Sequence, residues 1–104
     1  MGKRKNIQKL IEFKAKLSKR IPIQKMILFG SRARGKPSRY SDFDLIIVSK
    51  KFRRVNSLNR SLGFYKYWNL NYPIDFLCYT PEEFKRLSKG ITIVREAVKE
   101  GIEI

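Results

Sequence analysis

Histidine is absent from this chain of 104 residues, and cysteine occurs once, at Cys78. The first absence removes imidazole general bases, Ser-His-Asp triads and imidazole metal ligands together. The second excludes an intrachain disulfide and any cysteine-based zinc cluster. Catalysis, if there is any, must rest on carboxylates, which favour hard cations such as magnesium. Acidic residues are themselves scarce: nine stand against 24 Lys and Arg, giving a net charge of +15. No apolar run nears the ~20 residues that span a bilayer. The N-terminus is charged and has no apolar signal core, so a cytoplasmic protein without membrane contact is expected.

What is present fits a folded chain. The content is 42% hydrophobic and 12% aromatic, above the range of disordered segments. The length allows one domain, residues 1–104, with one core of modest size. The excess positive charge attracts polyanions such as nucleotides, RNA or DNA, or an acidic protein partner. It is clustered: nine Lys or Arg fall in the first 25 residues, four more between Arg32 and Arg39, and another group is Lys50, Lys51, Arg53 and Arg54. A solubilising surface would give the same counts. The basic stretch 50–59 is expected to form a flexible lip near the site described below.

Hydrophobic periodicity sets the elements. Residues 5–20 read as a helix with Ile7, Leu10, Ile11, Leu17 and Ile21 on one face, closed by Pro22. Residues 24–29 form a buried strand, 30–35 a turn, 36–41 a loop and 42–49 a second strand. Residues 57–69 suggest a helix with Leu58, Leu62, Tyr65 and Trp68 on one side, although Gly63 weakens it. A third strand is expected at 74–79. Thr80-Pro81-Glu82-Glu83 is a helix start, with a cap residue, proline at the first position and acids in the first turn. Residues 91–99 suggest a short helix, and 102–104 an extended end. The order implies an α/β (α+β) fold, a small mixed sheet with helices packed on it.

Two patterns carry chemistry. Gly30-Ser31 follows an apolar strand. Glycine lets the backbone approach a phosphate, exposed N–H groups there bind anions, and the serine hydroxyl donates to a phosphate oxygen. The Gly-Lys-Ser/Thr of a P-loop is missing. After ten intervening residues, Asp42 and Asp44 flank Phe43 at the start of the second strand. Strand alternation turns both carboxylates to one face, where they repel by about 4 kcal/mol at ~4 Å and an effective dielectric near 20. A divalent cation would offset that cost, while Phe43, Leu45 and Ile47 face the core. Either pattern alone is common; it is the combination that points to a metal and a triphosphate. Of the basic residues between the two patterns, Arg34 is favoured for a role in the site. Asp75, between Ile74 and Phe76, is an acid inside an apolar strand and needs a partner, water or a metal.

Gly-Ser, ten residues, Asp-x-Asp and a third Asp on a later strand together resemble the DNA polymerase beta-type nucleotidyltransferase superfamily. Gly-Ser-Arg-Ala-Arg-Gly and Ser-Asp-Phe-Asp-Leu are similar to its minimal nucleotidyltransferase branch, over about residues 23–79. The resemblance implies the nucleotidyltransferase fold. It also implies that Gly30 and Ser31 hold the triphosphate of ATP, that Asp42 and Asp44 bind magnesium, and that Asp75 completes the metal triad and serves as base for the incoming hydroxyl. Two ions about 3.5–4 Å apart are the usual arrangement for such displacements. Larger members carry an extra acceptor-selecting domain, for which this chain leaves almost nothing. The minimal branch is typically paired with a separately encoded helical HEPN-domain protein, often a ribonuclease toxin. The resemblance therefore implies an antitoxin that transfers AMP to a hydroxyl of that partner. The basic first helix and the cluster Phe64, Tyr65, Tyr67, Trp68 and Tyr72 offer contact surface, unless the aromatics are core. Two other readings compete: a nucleic-acid-binding module contacting RNA through its basic surface, and an antitoxin that neutralises by contact alone. A small-molecule acceptor fits less well, since no acceptor-binding domain is apparent.

Overall fold

A computed structural model describes residues 3–30, 32–33, 43–68, 72–90 and 92–104. The first element is α1 (Lys3–Ser18). Leu10, Phe13 and Leu17 are buried along it, and Ile7 and Ile21 pack partly on the same cluster. Spacings of three and four make one stripe on a 3.6-residue helix. Ile11, expected in that stripe, is instead 47% exposed. One step past Leu10 turns it about 100° away from the seam, and Phe13 takes its place.

Among the described residues four strands form the sheet: β1 (Lys25–Phe29), β2 (Phe43–Val48), β3 (Ile74–Tyr79) and β4 (Ile102–Glu103). Their order is β3-β2-β1-β4. β1 runs antiparallel to β2 and β4, while β2 and β3 are parallel. The expected small mixed sheet is therefore present. Helices α2 (Pro81–Ser88) and α3 (Ile93–Glu100) follow β3. Thr80 and Glu83 close a reciprocal capping box at the start of α2, which explains why that helix was legible.

Strand alternation divides the core in two. Met26, Leu28, Phe43, Leu45 and Ile47 point to the α1 side, with Phe52 and Phe64. Ile27, Phe29, Ile46 and Val48 point to the other side, under Val94 and Ala97 of α3 and partly buried Phe84 and Leu87 of α2. Because helices cover both faces, the central strands read as continuous apolar runs.

The helix expected at 57–69 is not there. Two short 3₁₀ turns, Ser57–Asn59 and Phe64–Tyr67, lie there instead. The Asn56 side chain accepts the Leu58 N–H and caps the first turn. Gly63 sits at φ +84, a left-handed conformation that an α-helix does not admit. Leu58 and Leu62 are 86% and 72% exposed, so no common apolar face exists. Most of the aromatic cluster is core. Phe64 is buried, and Trp68 meets Phe13 and Phe43 edge-on with ring centroids 5.6 and 5.1 Å away. The Trp68 indole N–H donates to the Tyr72 carbonyl at 2.9 Å. Tyr65 stays largely outside, at 55% exposure.

Candidate active site

Sheet register assembles the site. Phe29, the last residue of β1, stands opposite Asp44, and Asp44 stands opposite Asp75 in the parallel ladder. Opposed residues on neighbouring strands, about 4.8 Å apart, place their side chains on one face. Asp44 is half-buried and Asp75 is exposed. The structure thus brings Asp75 beside Asp44, as the sequence suggested it would if the two strands were neighbours.

Gly30 completes this corner. Its φ is +77, and a Cβ built on it would stand 2.6 Å from Asp44 Oδ2. No side chain fits between that turn and the carboxylate. The Ala33 N–H donates to the Gly30 carbonyl at 3.1 Å and closes the turn. Of the other expected site residues, Ser31, Arg34 and Asp42 lie outside the described residues. Among the described residues no group of three acidic or thiol side chains stands in metal-holding geometry. Two of the expected triad, Asp44 and Asp75, are together.

A cation that sequence reasoning passed over is held here. Arg32 is buried, its guanidinium lying over the adjacent, tilted rings of Phe43 and Tyr72 at 4.6 and 4.5 Å from their centroids. These contacts tie the segment after Gly30 to the first residue of β2. Nothing in the sequence distinguishes Arg32 from its basic neighbours, because the second ring comes from Tyr72, forty positions away.

Gly30, Asp44 and Asp75 share a cavity of about 500 Å³ with Tyr65 and with Glu96 and Glu100 of α3. The sequence did offer a signal for the two glutamates. Four residues apart on a helix, they share a face.

The basic stretch 50–59 is not a lip of this cavity. It leaves the far end of β2, four ladder positions from Asp44, or roughly 13 Å at 3.3 Å per residue. It is also anchored. Phe52 is buried, and Arg53 pairs with Glu82. Arg60, its side chain 9% exposed, binds Glu83 through Nη1 at 2.6 Å and donates to the carbonyls of Val55 and Cys78 at 3.1 Å each. The hydrogen bond from Arg60 holds the Glu83 carboxyl below its ordinary range. Burial pushes the Cys78 thiol up to about 12, against a smaller opposing effect of Arg60.

Known proteins share this architecture. A crystal structure of a Sulfolobus solfataricus protein assigned as a nucleotidyltransferase superposes with a TM-score of 0.68 at 22% identity, over 97% of this chain and 80% of the other. A Haemophilus influenzae protein named "Probable protein adenylyltransferase MntA" is 26% identical over 98 residues, spanning 92% of this chain and 86% of that protein. The "Nucleotidyltransferase domain" family model matches residues 10–102, which take in β1, β2, β3 and the whole cavity. With nearly its full length matched and the glycine turn and paired aspartates in place, the chain belongs to the nucleotidyltransferase domain family.

Proposed function

We propose that the chain transfers a nucleoside monophosphate, AMP from ATP, to a hydroxyl on a helical HEPN-type toxin partner, and so acts as an antitoxin. The observation that carries the reading is the register of Asp44 and Asp75 at the end of β1, beside a glycine whose missing side chain leaves room at Asp44. The similarity to a protein named as an adenylyltransferase supports AMP and a protein acceptor. A surface carrying +15 suits an acidic partner.

The residues present fit a divalent metal. Two carboxylates directly opposed on adjacent strands repel, a cost that a divalent cation between them would offset, and a donor set of oxygens without imidazole suits magnesium. Asp42, Asp44 and Asp75 would hold the ions. Bound magnesium would neutralise the phosphates and stabilise the entering and leaving oxygens. The protein's own part begins at Gly30, Ser31 and Arg34, which grip the triphosphate and orient its α-phosphate. Asp75 accepts the proton of the attacking hydroxyl. Arg32, resting on the Phe43 and Tyr72 rings, ties the segment after Gly30 to the start of β2.

Label from α-labelled ATP should pass to the genomically adjacent helical protein in the presence of magnesium. Asp42→Asn/Asp44→Asn should abolish it. Absence of label in an intact complex would instead indicate neutralisation by contact alone. RNA binding that survives the double substitution and weakens steeply with salt would favour the nucleic-acid module.

A further inference from the structure

The cavity contains a hydroxyl of the protein's own. Among its described lining residues Tyr65 alone bears one. The Tyr65 hydroxyl lies 3.4 Å from the carbonyl oxygen of Ile74, the residue directly before Asp75. The phenol therefore reaches the backbone that carries the assigned base. The contact is long for an O–H···O hydrogen bond, so it constrains the oxygen only weakly. The ring, in contrast, is placed: it meets Phe76 edge-on with centroids 5.1 Å apart. A nucleophile already in the reacting cavity has a large advantage over one arriving from solution.

We infer that Tyr65 is an acceptor for the chain's own transfer reaction, so that the protein nucleotidylates itself in cis. The inference rests on the proposed nucleotidyltransferase activity. The co-reactant is a nucleoside triphosphate. Tyr65 Oη attacks the α-phosphorus and forms the Oη–P bond, while the bond from the α-phosphorus to the bridging oxygen breaks and pyrophosphate leaves. The phenolic proton passes to the Asp75 carboxylate. Phosphorus undergoes substitution without redox change. The product consumes the Tyr65 hydroxyl, so the tyrosine oxygen itself takes one nucleotidyl group.

The test uses the full chain with magnesium and each of the four nucleoside triphosphates, read by intact mass and peptide mapping. The expected result is one nucleoside monophosphate on Tyr65, stable to hydroxylamine, formed at a first-order rate independent of protein concentration. It should be absent in Tyr65→Phe, which keeps the ring and its packing, and in Asp75→Asn. A hydroxylamine-labile adduct on Glu96 or Glu100, or a stable adduct elsewhere, would overturn the assignment. So would a rate proportional to protein concentration, which marks one copy acting on another. An unmodified Tyr65 in a preparation that labels the helical partner would end the inference and leave the transferase reading intact. No adduct, no labelled partner and no pyrophosphate release would remove both.

Discussion

Two glycines with positive φ separate backbone strain from site geometry. At Gly63, a Cβ meets nothing within 4 Å. Gly63→Ala should cost only the left-handed strain, about 1 kcal/mol, and leave transfer activity unchanged. At Gly30 the same strain is joined by a Cβ 2.6 Å from Asp44 Oδ2, so the carboxylate must move. Gly30→Ala should lower the transfer rate at least about tenfold, equivalent to about 1.4 kcal/mol of transition-state stabilisation. Thermal unfolding should report a similar small loss for both variants, and the rate assay a loss for Gly30→Ala alone.

At the scale of elements, the clamp between the 3₁₀ segment, β3 and α2 depends on Arg60. Its charged hydrogen bonds to Glu83 and its bonds to two carbonyls are partly buried. Arg60→Ala should destabilise the fold by about 2 kcal/mol, lowering Tm by roughly 10 °C in a domain of this size. The pH dependence has a defined sign. Glu83 titrates below its ordinary value of 4.5 because Arg60 favours the carboxylate. Its stabilising contribution is full above that value and fades as pH falls through the depressed one. Acid unfolding of the wild type should therefore show a stability loss below pH 4.5 that is reduced in Arg60→Ala. Elements marked by local chemistry were legible in the sequence: Thr80 and Glu83 announce α2, and the apolar runs announce β1 and β2. The segment 57–69 was not, because Leu58, Leu62 and Tyr65 have helical spacing while Gly63 and the Asn56 cap impose turns. Asp44 and Gly30 were legible as a motif. That Asp75 joins them depends on which strands pair, and Tyr65 enters the cavity by packing on Phe76.

For the whole molecule, charge is distributed by sign. Four of the nine acids, Asp44, Asp75, Glu96 and Glu100, line one cavity in a chain with 24 basic residues. On the proposed function, the field outside would draw in a polyanionic nucleotide, and a cation would offset the acids inside. Raising ionic strength from about 0.1 M to 1 M shortens the screening length from about 10 to 3 Å. The ratio kcat/KM for the nucleotide should fall accordingly, mostly through KM. Among the described residues no helix is long and apolar enough to cross a membrane. The lone thiol gives access to the molecule's opening equilibrium. Cys78 lies opposite Ile47 on β2, and partial burial raises its thiol pKa to about 12. Since the thiolate is the reactive form, the partly buried thiol reacts slowly in the folded chain and faster when the fold opens around β3. Alkylation kinetics at this single position therefore report opening around β3 without any introduced probe, and Arg60→Ala, which frees the Cys78 carbonyl, should accelerate them.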